Sequence, residues 1–244
     1  MRSNDIGGAG MTDATADRAA WLGEMRQVNE EQESALASIY DDDWGEIGDK
    51  HWAFVERFCS MLPSDGRVLD AACGTGKYFG MLLESGRSLL GVDHTGAYLD
   101  RARARFPDVP TEKHDLQELS YRDEFDGVMC VDAMEFVPPE EWPVVLEGFH
   151  RALRPGGWLY FTVELVPEDK IRAANAEARA AGLPVVEGEV IWHEPDDYYH
   201  YYPSIEQVRA WVTAAGFVIE DDAEGPWHED GYAYHHVLAR RALR

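Results

Sequence analysis

Cysteine is scarce in this chain of 244 residues: Cys59, Cys73 and Cys130 are odd in number, and their spacing matches no zinc site. That speaks against a disulfide framework and suits a reducing, cytoplasmic compartment. Long apolar runs are missing too. None approaches the length of a membrane span, and the polar, glycine-containing residues 1–17 hold no signal-peptide core. Met11 is an alternative natural start to Met1, which would leave residues 1–10 as an upstream extension. Basic residues are the third deficit. Twenty-two Lys and Arg face 46 Asp and Glu, a formal charge of −24. Such a field repels nucleic acid, and no Lys/Arg stripe with interleaved aromatics offsets it. A neutral or cationic small-molecule substrate is compatible, and so is a bland gain in solubility. The acids are plentiful but form no compact metal-ligand constellation, so no metal is expected.

What is present is an ordinary apolar share of 45%, enough for the core of one α/β domain with extra helices. Apolar residues recur at helical spacing over 17–38 (Trp21, Leu22, Met25, Val28, Leu36) and over 50–61 (Trp52, Val55, Phe58, Cys59). Strands and helices then alternate: strand 67–72, helix 77–85, strand 88–92, helix 95–105, strand 109–112, strand 125–131, helix 140–153, strand 158–164. Alternation of this kind predicts a parallel sheet covered on both faces. Beyond Glu164 an alanine-rich helix is expected over 167–181 and a strand or extended segment over 185–193. A helix follows over 204–215, with Ser204 as its N-cap and Gly216 after its end. Two terminal strands are expected near 217–222 and 232–239. There is no internal repeat, disordered linker or second domain.

The strand at 67–72 runs into Asp70-Ala71-Ala72-Cys73-Gly74-Thr75-Gly76, and a helix follows at once. A strand, glycine turn and helix in that order bring bare backbone close to a nucleotide-like ligand. Asp70 narrows the choice, because a carboxylate in the turn repels the diphosphate of NAD or ATP and favours a ligand with an ammonium group. S-adenosylmethionine (SAM) has such a group and no phosphate. Asp93 ends the next strand, about 20 residues on, where a ribose-binding acid is expected. The dinucleotide fingerprint fails at its third glycine: position 79 is Phe, and Gly follows only at 80. The alternative is a nucleotide fold with an unrelated ligand.

On these residues the chain resembles the class I SAM-dependent methyltransferases. The likeness runs over 66–164 and includes Asp115 after the third strand, Phe125-Asp126-Gly127-Val128 as a fourth strand and Leu153-Arg154-Pro155-Gly156-Gly157 before a fifth. It implies an α/β, Rossmann-like, doubly wound and mainly parallel seven-stranded sheet, with a terminal antiparallel hairpin, N-terminal helices and a helical insertion after strand five. Residues 1–60 are then an N-terminal extension with lid helices. Residues 61–244 form the SAM-binding core, and 165–203 a substrate-binding insertion. It implies that Asp70 lies near the methionine ammonium, that Ala72, Gly74 and Gly76 approach the cofactor by their backbone, that Asp93 takes the ribose hydroxyls, that Asp115 takes the adenine amino group, and that His94 and Leu116 flank the ring. For Asp115 a turn or helix-cap role is the competing reading. Tyr40 resembles a tyrosine that closes over SAM, with ordinary helix-end packing as its alternative.

Methyl transfer from a sulfonium needs alignment and exclusion of water, and a base only where the acceptor must lose a proton. Catalytic residues therefore leave a weak mark in sequence. Asp132-Ala133-Met134-Glu135-Phe136 follows the fourth strand, beside the methyl group. Asp132 is assigned to the cofactor site, and Glu135 to a substrate cation or proton. The acid is all that this stretch shares with the Asn/Asp-Pro-Pro-Tyr motif of nucleic-acid and protein amino methyltransferases, which argues against those substrates. The segment 192–203 crowds aromatics, His193, His200 and several acids between two prolines. It offers a wall for a flat or cationic substrate, with His193 or His200 as general base, or else simply packs the insertion onto the sheet. His235 and His236, adjacent on a strand, face opposite ways and are read as structural. The expectation is a cytoplasmic SAM-dependent methyltransferase acting on N or O of a small amine or aromatic natural product, with no nucleic-acid or membrane partner and with the N-terminal helix as a lid or a homodimer contact. A protein or peptide methyltransferase, a non-catalytic SAM-binding module and an NAD(P)-dependent reductase are the rivals.

Overall fold

A computed structural model describes residues 9–193, 197–226 and 233–243, with side chains from Asp17 onward. Glu194, Pro195 and Asp196 of the 192–203 segment lie outside the described residues, as do Trp227 and His228. Helix α1 (Ala9–Leu36), the short α2 (Tyr40–Trp44) and α3 (Asp49–Met61) precede the sheet. Then come β1 (Arg67–Ala71), α4 (Phe79–Glu84), β2 (Ser88–Asp93), α5 (Gly96–Arg105), β3 (Thr111–Lys113), β4 (Phe125–Cys130), α6 (Trp142–Ala152) and β5 (Leu153–Leu165). The last part holds α7 (Glu168–Ala180), a hairpin of β6 (Glu189–Trp192) and β7 (Tyr198–Tyr201), α8 (Ile205–Ala214), β8 (Phe217–Pro226) and β9 (Ala233–Arg241).

The seven-stranded sheet has the order β3-β2-β1-β4-β5-β9-β8, and β6-β7 is a separate two-stranded unit. The first five strands are parallel and β9 runs antiparallel between β5 and β8, so the doubly wound sheet and its terminal hairpin are as the sequence implies. Alternate residues of each strand feed opposite layers. Leu69, Leu90, Val128 and Phe161 pack with Trp142, Phe149 and Val208 of α6 and α8, and Trp21 and Leu22 of α1 join that layer. Val68, Leu89, Met129 and Tyr160 pack with Phe54, Phe58, Phe79 and Leu99 of α3, α4 and α5. Phe79 explains the broken dinucleotide fingerprint. Its fully buried ring lies where side chains on Gly76 and Gly91 would go, with a Cβ on Gly91 only 2.5 Å from Phe79 Cζ. Gly76 is also left-handed, at φ +79.

Two elements depart from the sequence reading. The 192–203 segment is half strand: β7 pairs with β6, Ile191 opposite Tyr199. Residues 40–44, for which the sequence pattern gives no element, make a separate turn of helix, α2. Helix α1 is tied to the insertion by the Asn29 side chain, whose amide donates to the Tyr199 carbonyl and accepts from the Tyr199 N–H, both at 3.2 Å. Arg18 reaches the fully buried Glu189 carboxylate at 2.6 Å. The N-terminal helix is thus bonded to the β6–β7 hairpin across the top of the sheet. No described helix is long and apolar enough to cross a membrane.

Candidate active site

A cavity of roughly 360 Å³ lies beyond the C-terminal ends of β1, β2 and β4, and residues of α1, α2 and the β6–β7 hairpin complete its wall. It sits at the topological switch point, where β1 pairs with β2 on one side and β4 on the other. Two non-glycine residues on its rim have left-handed backbone: Ala72 at φ 63 and Asp132 at φ 55, just past β1 and β4. For Ala72 that conformation costs about 1–2 kcal/mol. Strain of this kind collects at functional sites because the surrounding structure enforces it.

One end of the cavity has the donors and acceptors of a nucleoside site. Asp93, 5% exposed, accepts the Gly74 N–H at 2.8 Å on Oδ2 and the Thr95 N–H at 2.7 Å on Oδ1. Each oxygen keeps lone pairs for a ligand. Burial, reinforced by nearby Glu33, pushes the Asp93 carboxyl up to about 6. Glu33 of α1 accepts from Thr95 Oγ1 at 2.6 Å and lies 3.0 Å from His94 Nε2. Burial disfavours the charged His94 ring, but the bond to Glu33 and its charge outweigh this and raise His94 to about 9. Asp115 stands at the N-cap position of a short 3₁₀ turn (Leu116–Glu118), yet its side chain makes no cap bond. Its carbonyl accepts the Glu118 N–H at 3.0 Å, and both Asp115 and Leu116 line the cavity.

Tyr40 lines the cavity with its ring 4.8 Å from that of Tyr98. Its neighbour Asp41 fixes α2 in place: it accepts from Thr75 Oγ1 of the glycine turn and is paired with Arg101 at 2.9 Å and Arg105 at 2.8 Å. Burial works against the Asp41 charge, but these bonds lower its pKa overall. Asp41→Ala is expected to release α2 and weaken SAM binding about tenfold, the worth of one or two partly exposed charged hydrogen bonds. Calorimetric titration checks this, and an unchanged affinity would mean that α2 plays no part in closing the site.

The other end is acidic and aromatic. Asp132 donates its N–H to Thr162 Oγ1 at 2.9 Å, with His51 Nε2 3.4 Å from Oδ1 and Lys77 Nζ 3.9 Å from Oδ2. Burial disfavours its charge, but His51 and Lys77 hold the carboxyl below its usual range. Glu135, 6% exposed in a second 3₁₀ turn (Met134–Phe136), has no hydrogen-bond partner for Oε2. Burial first, then Glu164 and Asp132, push it well above the ordinary glutamate range. Glu164, near the end of β5, is pushed up to about 7, chiefly by burial, although it accepts from the Tyr202 hydroxyl at 3.1 Å. His200 of β7 packs against Phe136 with ring centres 4.7 Å apart, and its buried Nε2 has no partner. Burial lowers it to about 3.

Ala72, Gly74, Asp93, His94, Asp115, Leu116, Tyr40, Asp132, Glu135 and His200 are therefore brought to one cavity. Three expected site residues are not among those that line it. Asp70, 1% exposed, is buried in β1 with Oδ2 unpartnered. Gly76 is glycine for the sake of Phe79. His193 is exposed and paired with Asp197 at 2.5 Å near the hairpin turn, which removes it as general base. Alternation along a strand decides between the two histidines: β7 turns His200 inward, whereas His193 lies past the end of β6. Glu33, Asp41, Lys77 and Glu164 are additions. Among them only Glu164, at a C-terminal strand end, stood where sequence position signals a site.

The cavity fits SAM by its own features. Gly74 is left-handed, and a Cβ built on it meets nothing within 4 Å, so backbone is open to a ligand there. The methyltransferase domain family matches residues 68–157, the part that builds this wall. Residues 68–157 of the chain therefore carry a methyltransferase domain. SAM is its cofactor. Among solved structures, a SAM-dependent methyltransferase of Methanosarcina mazei covers 76% of this chain and 96% of its own at a TM-score of 0.67 and 18% identity, which speaks to fold alone. A ubiquinone biosynthesis O-methyltransferase of Hydrogenovibrio crunogenus is 27% identical over 139 residues, 52% of this chain and 56% of that protein. A tRNA (carboxymethyluridine(34)-5-O)-methyltransferase of Arabidopsis thaliana is 30% identical over 46% of this chain and 27% of its own length. The chain spans about half the length of the first curated relatives it matches. By their names these relatives act on chemically different acceptors. Among the described residues, no group of three or more His, Cys, Asp or Glu stands where it would hold a metal ion.

Proposed function

We propose that this protein transfers the methyl group of SAM to a nitrogen or oxygen of a small metabolite, an amine or an aromatic compound. The observation that carries this reading is the pair of buried, unpartnered atoms on the acidic wall, Glu135 Oε2 and His200 Nε2, in the same cavity as Gly74, Asp93 and Asp115. An unsatisfied buried polar atom costs about 1–3 kcal/mol unless a ligand answers it. When bound, SAM supplies an activated methyl group on a sulfonium, open to in-line displacement. Asp93 and Asp115 hold its ribose and adenine, Gly74 lets it approach, and Tyr40 closes over it. Glu135 receives a cationic or hydroxyl-bearing acceptor, Phe136 and Tyr198 flank it, and His200 takes its proton. Within the N-terminal extension of residues 1–60 the helices act as a lid, and 165–203 is the substrate-binding insertion.

The net charge of −24 and the cavity's closure by α1 and the hairpin favour a small acceptor over nucleic acid or a protein chain. Incubation with methyl-labelled SAM and a panel of amines, phenols, transfer RNA and basic peptides tests this. Label is expected in one or more small amines or phenols and in neither macromolecule. Label confined to RNA or peptide would overturn it.

A further inference from the structure

Tyr202 does not line the cavity, yet its hydroxyl holds the inner ends of two groups that do. Trp192 Nε1 lies 3.0 Å from Tyr202 Oη, His200 Nδ1 2.9 Å and Glu164 Oε2 3.1 Å. An indole N–H only donates, so Trp192 occupies one lone pair of the hydroxyl. One proton and one lone pair then remain for two partners. Whichever of His200 and Glu164 accepts the hydroxyl proton, the other must donate to the hydroxyl. If Glu164 is ionised it is the acceptor, His200 carries its proton on Nδ1, and Nε2 presents a bare lone pair to the cavity. If Glu164 is protonated it donates, the hydroxyl turns to His200 Nδ1, and the imidazole proton sits on Nε2. The tautomer of His200 and the protonation of Glu164 are one variable.

We propose that His200, Tyr202 and Glu164 form a proton relay that accepts the proton of the methyl acceptor at His200 Nε2 and stores it on Glu164. The proposal rests on the transfer reading for the origin of that proton. Three bonds break (acceptor–H, His200 Nδ1–H, Tyr202 Oη–H) and three form (His200 Nε2–H, Tyr202 Oη–H, Glu164 Oε2–H). The imidazole starts and ends neutral, and Glu164 passes from carboxylate to acid. The relay resolves a conflict in the site. A histidine buried beside Phe136 is too weak a base to keep a proton near neutrality, and burial holds its pKa near 3, whereas Glu164 is held near 7. Trp192 fixes the hydroxyl by a bond that neither proton state disturbs. Glu135, Asp132, Tyr198 and Tyr234 also face this end of the cavity, with Glu33 and Lys77 along its wall, so the titration belongs to the Glu135–Glu164 pair rather than to one carboxyl.

The test needs neither SAM nor acceptor. Nitrogen-15 NMR of the full chain with labelled histidine, with the His200 signals assigned by their loss in His200→Gln, reads the tautomer directly. From about pH 5.5 to about pH 8.5 the His200 proton is expected to move from Nε2 to Nδ1, with a midpoint near neutrality and without an imidazolium stage. Tyr202→Phe and Glu164→Gln, which act independently should one of them fail to fold, are each expected to leave a single tautomer at both pH values. An unchanged tautomer in the wild type, an imidazolium at the lower pH, or a switch that survives both substitutions would overturn the relay. A switch in a chain that transfers no methyl group would keep the relay and defeat the proposed reaction, so the two failures are distinguishable.

Discussion

Asp93→Ala is expected to weaken SAM binding by at least about 100-fold. Asp93 has two tasks. It accepts the Gly74 N–H and the Thr95 N–H, fixing the glycine turn against the start of α5, and it presents the remaining lone pairs to the ribose hydroxyls. Two hydrogen bonds to a charged acceptor contribute about 1.5–3 kcal/mol each, so their joint loss corresponds to roughly a 10²–10⁴ fall in affinity. Loss of the Gly74 anchor adds to this by loosening the backbone that must lie close to the ligand. Asp93→Asn keeps the shape and one acceptor and is expected to lose less. Should both variants bind SAM like the wild type while remaining folded, the nucleoside end of the cavity has been misplaced.

The second large effect concerns Asp70 and pH. The ligand-free protein is expected to lose stability as the pH rises from about 4 to about 8, and Asp70→Asn is expected to reduce that loss, the remainder falling to Asp93, Glu135 and Glu164, whose carboxyls burial also raises. Burial, with Asp93 as a lesser cause, raises the Asp70 carboxyl to about 8. An acid whose pKa is higher folded than unfolded binds its proton more tightly in the native state, so its contribution is fully present below the unfolded value and is lost as pH climbs through the folded one. Holding a carboxyl near 8 instead of near 3.8 costs the ionised form on the order of 5 kcal/mol. Asparagine also leaves a buried polar group unpartnered, which reduces the gain. A net gain of about 2–4 kcal/mol near pH 8.5 raises Tm by roughly 5–15 °C for a chain of this size. Asp108→Asn, at an exposed position, removes the same formal charge and controls for the general relief of repulsion in so acidic a chain. Thermal unfolding across this pH range reads both variants. Parallel slopes for wild type and Asp70→Asn would show that Asp70 is solvated or paired in the native protein. An acid kept at such cost fits a functional role, because sites commonly trade stability for chemistry.

These two residues also mark how far the sequence could be read. Asp93 stood out by position, at the end of the strand after the glycine turn, whereas Asp70, equally plain in the motif, is buried in β1 and does not line the cavity; the alternation of strand and helix carried the sheet from 67 to 164. The terminal hairpin followed as well. Legibility failed where the deciding relation is made in space. Glu33 and Asp41 are helix acids like many others in a chain with 46 of them, and only docking of α1 and α2 sets them beside Thr95 and Thr75. The pairing of β7 with β6 selects His200 over His193, and no local pattern in so aromatic a stretch shows that register. Gly76 illustrates the opposite limit. Its place in the motif is plain, but the reason for it is the ring of Phe79, which is evident only once helix and sheet are packed.

The central claim is that the cavity beyond β1, β2 and β4 is a SAM site joined to an acceptor site. Calorimetric titration of the purified protein with SAM, S-adenosylhomocysteine and NADH tests it most directly. The structure predicts micromolar binding of both adenosyl compounds and none of NADH, whose diphosphate would meet the acids that line the cavity, among them Asp93, Asp132 and Glu135. Binding of NADH, or of neither adenosyl compound, would contradict it.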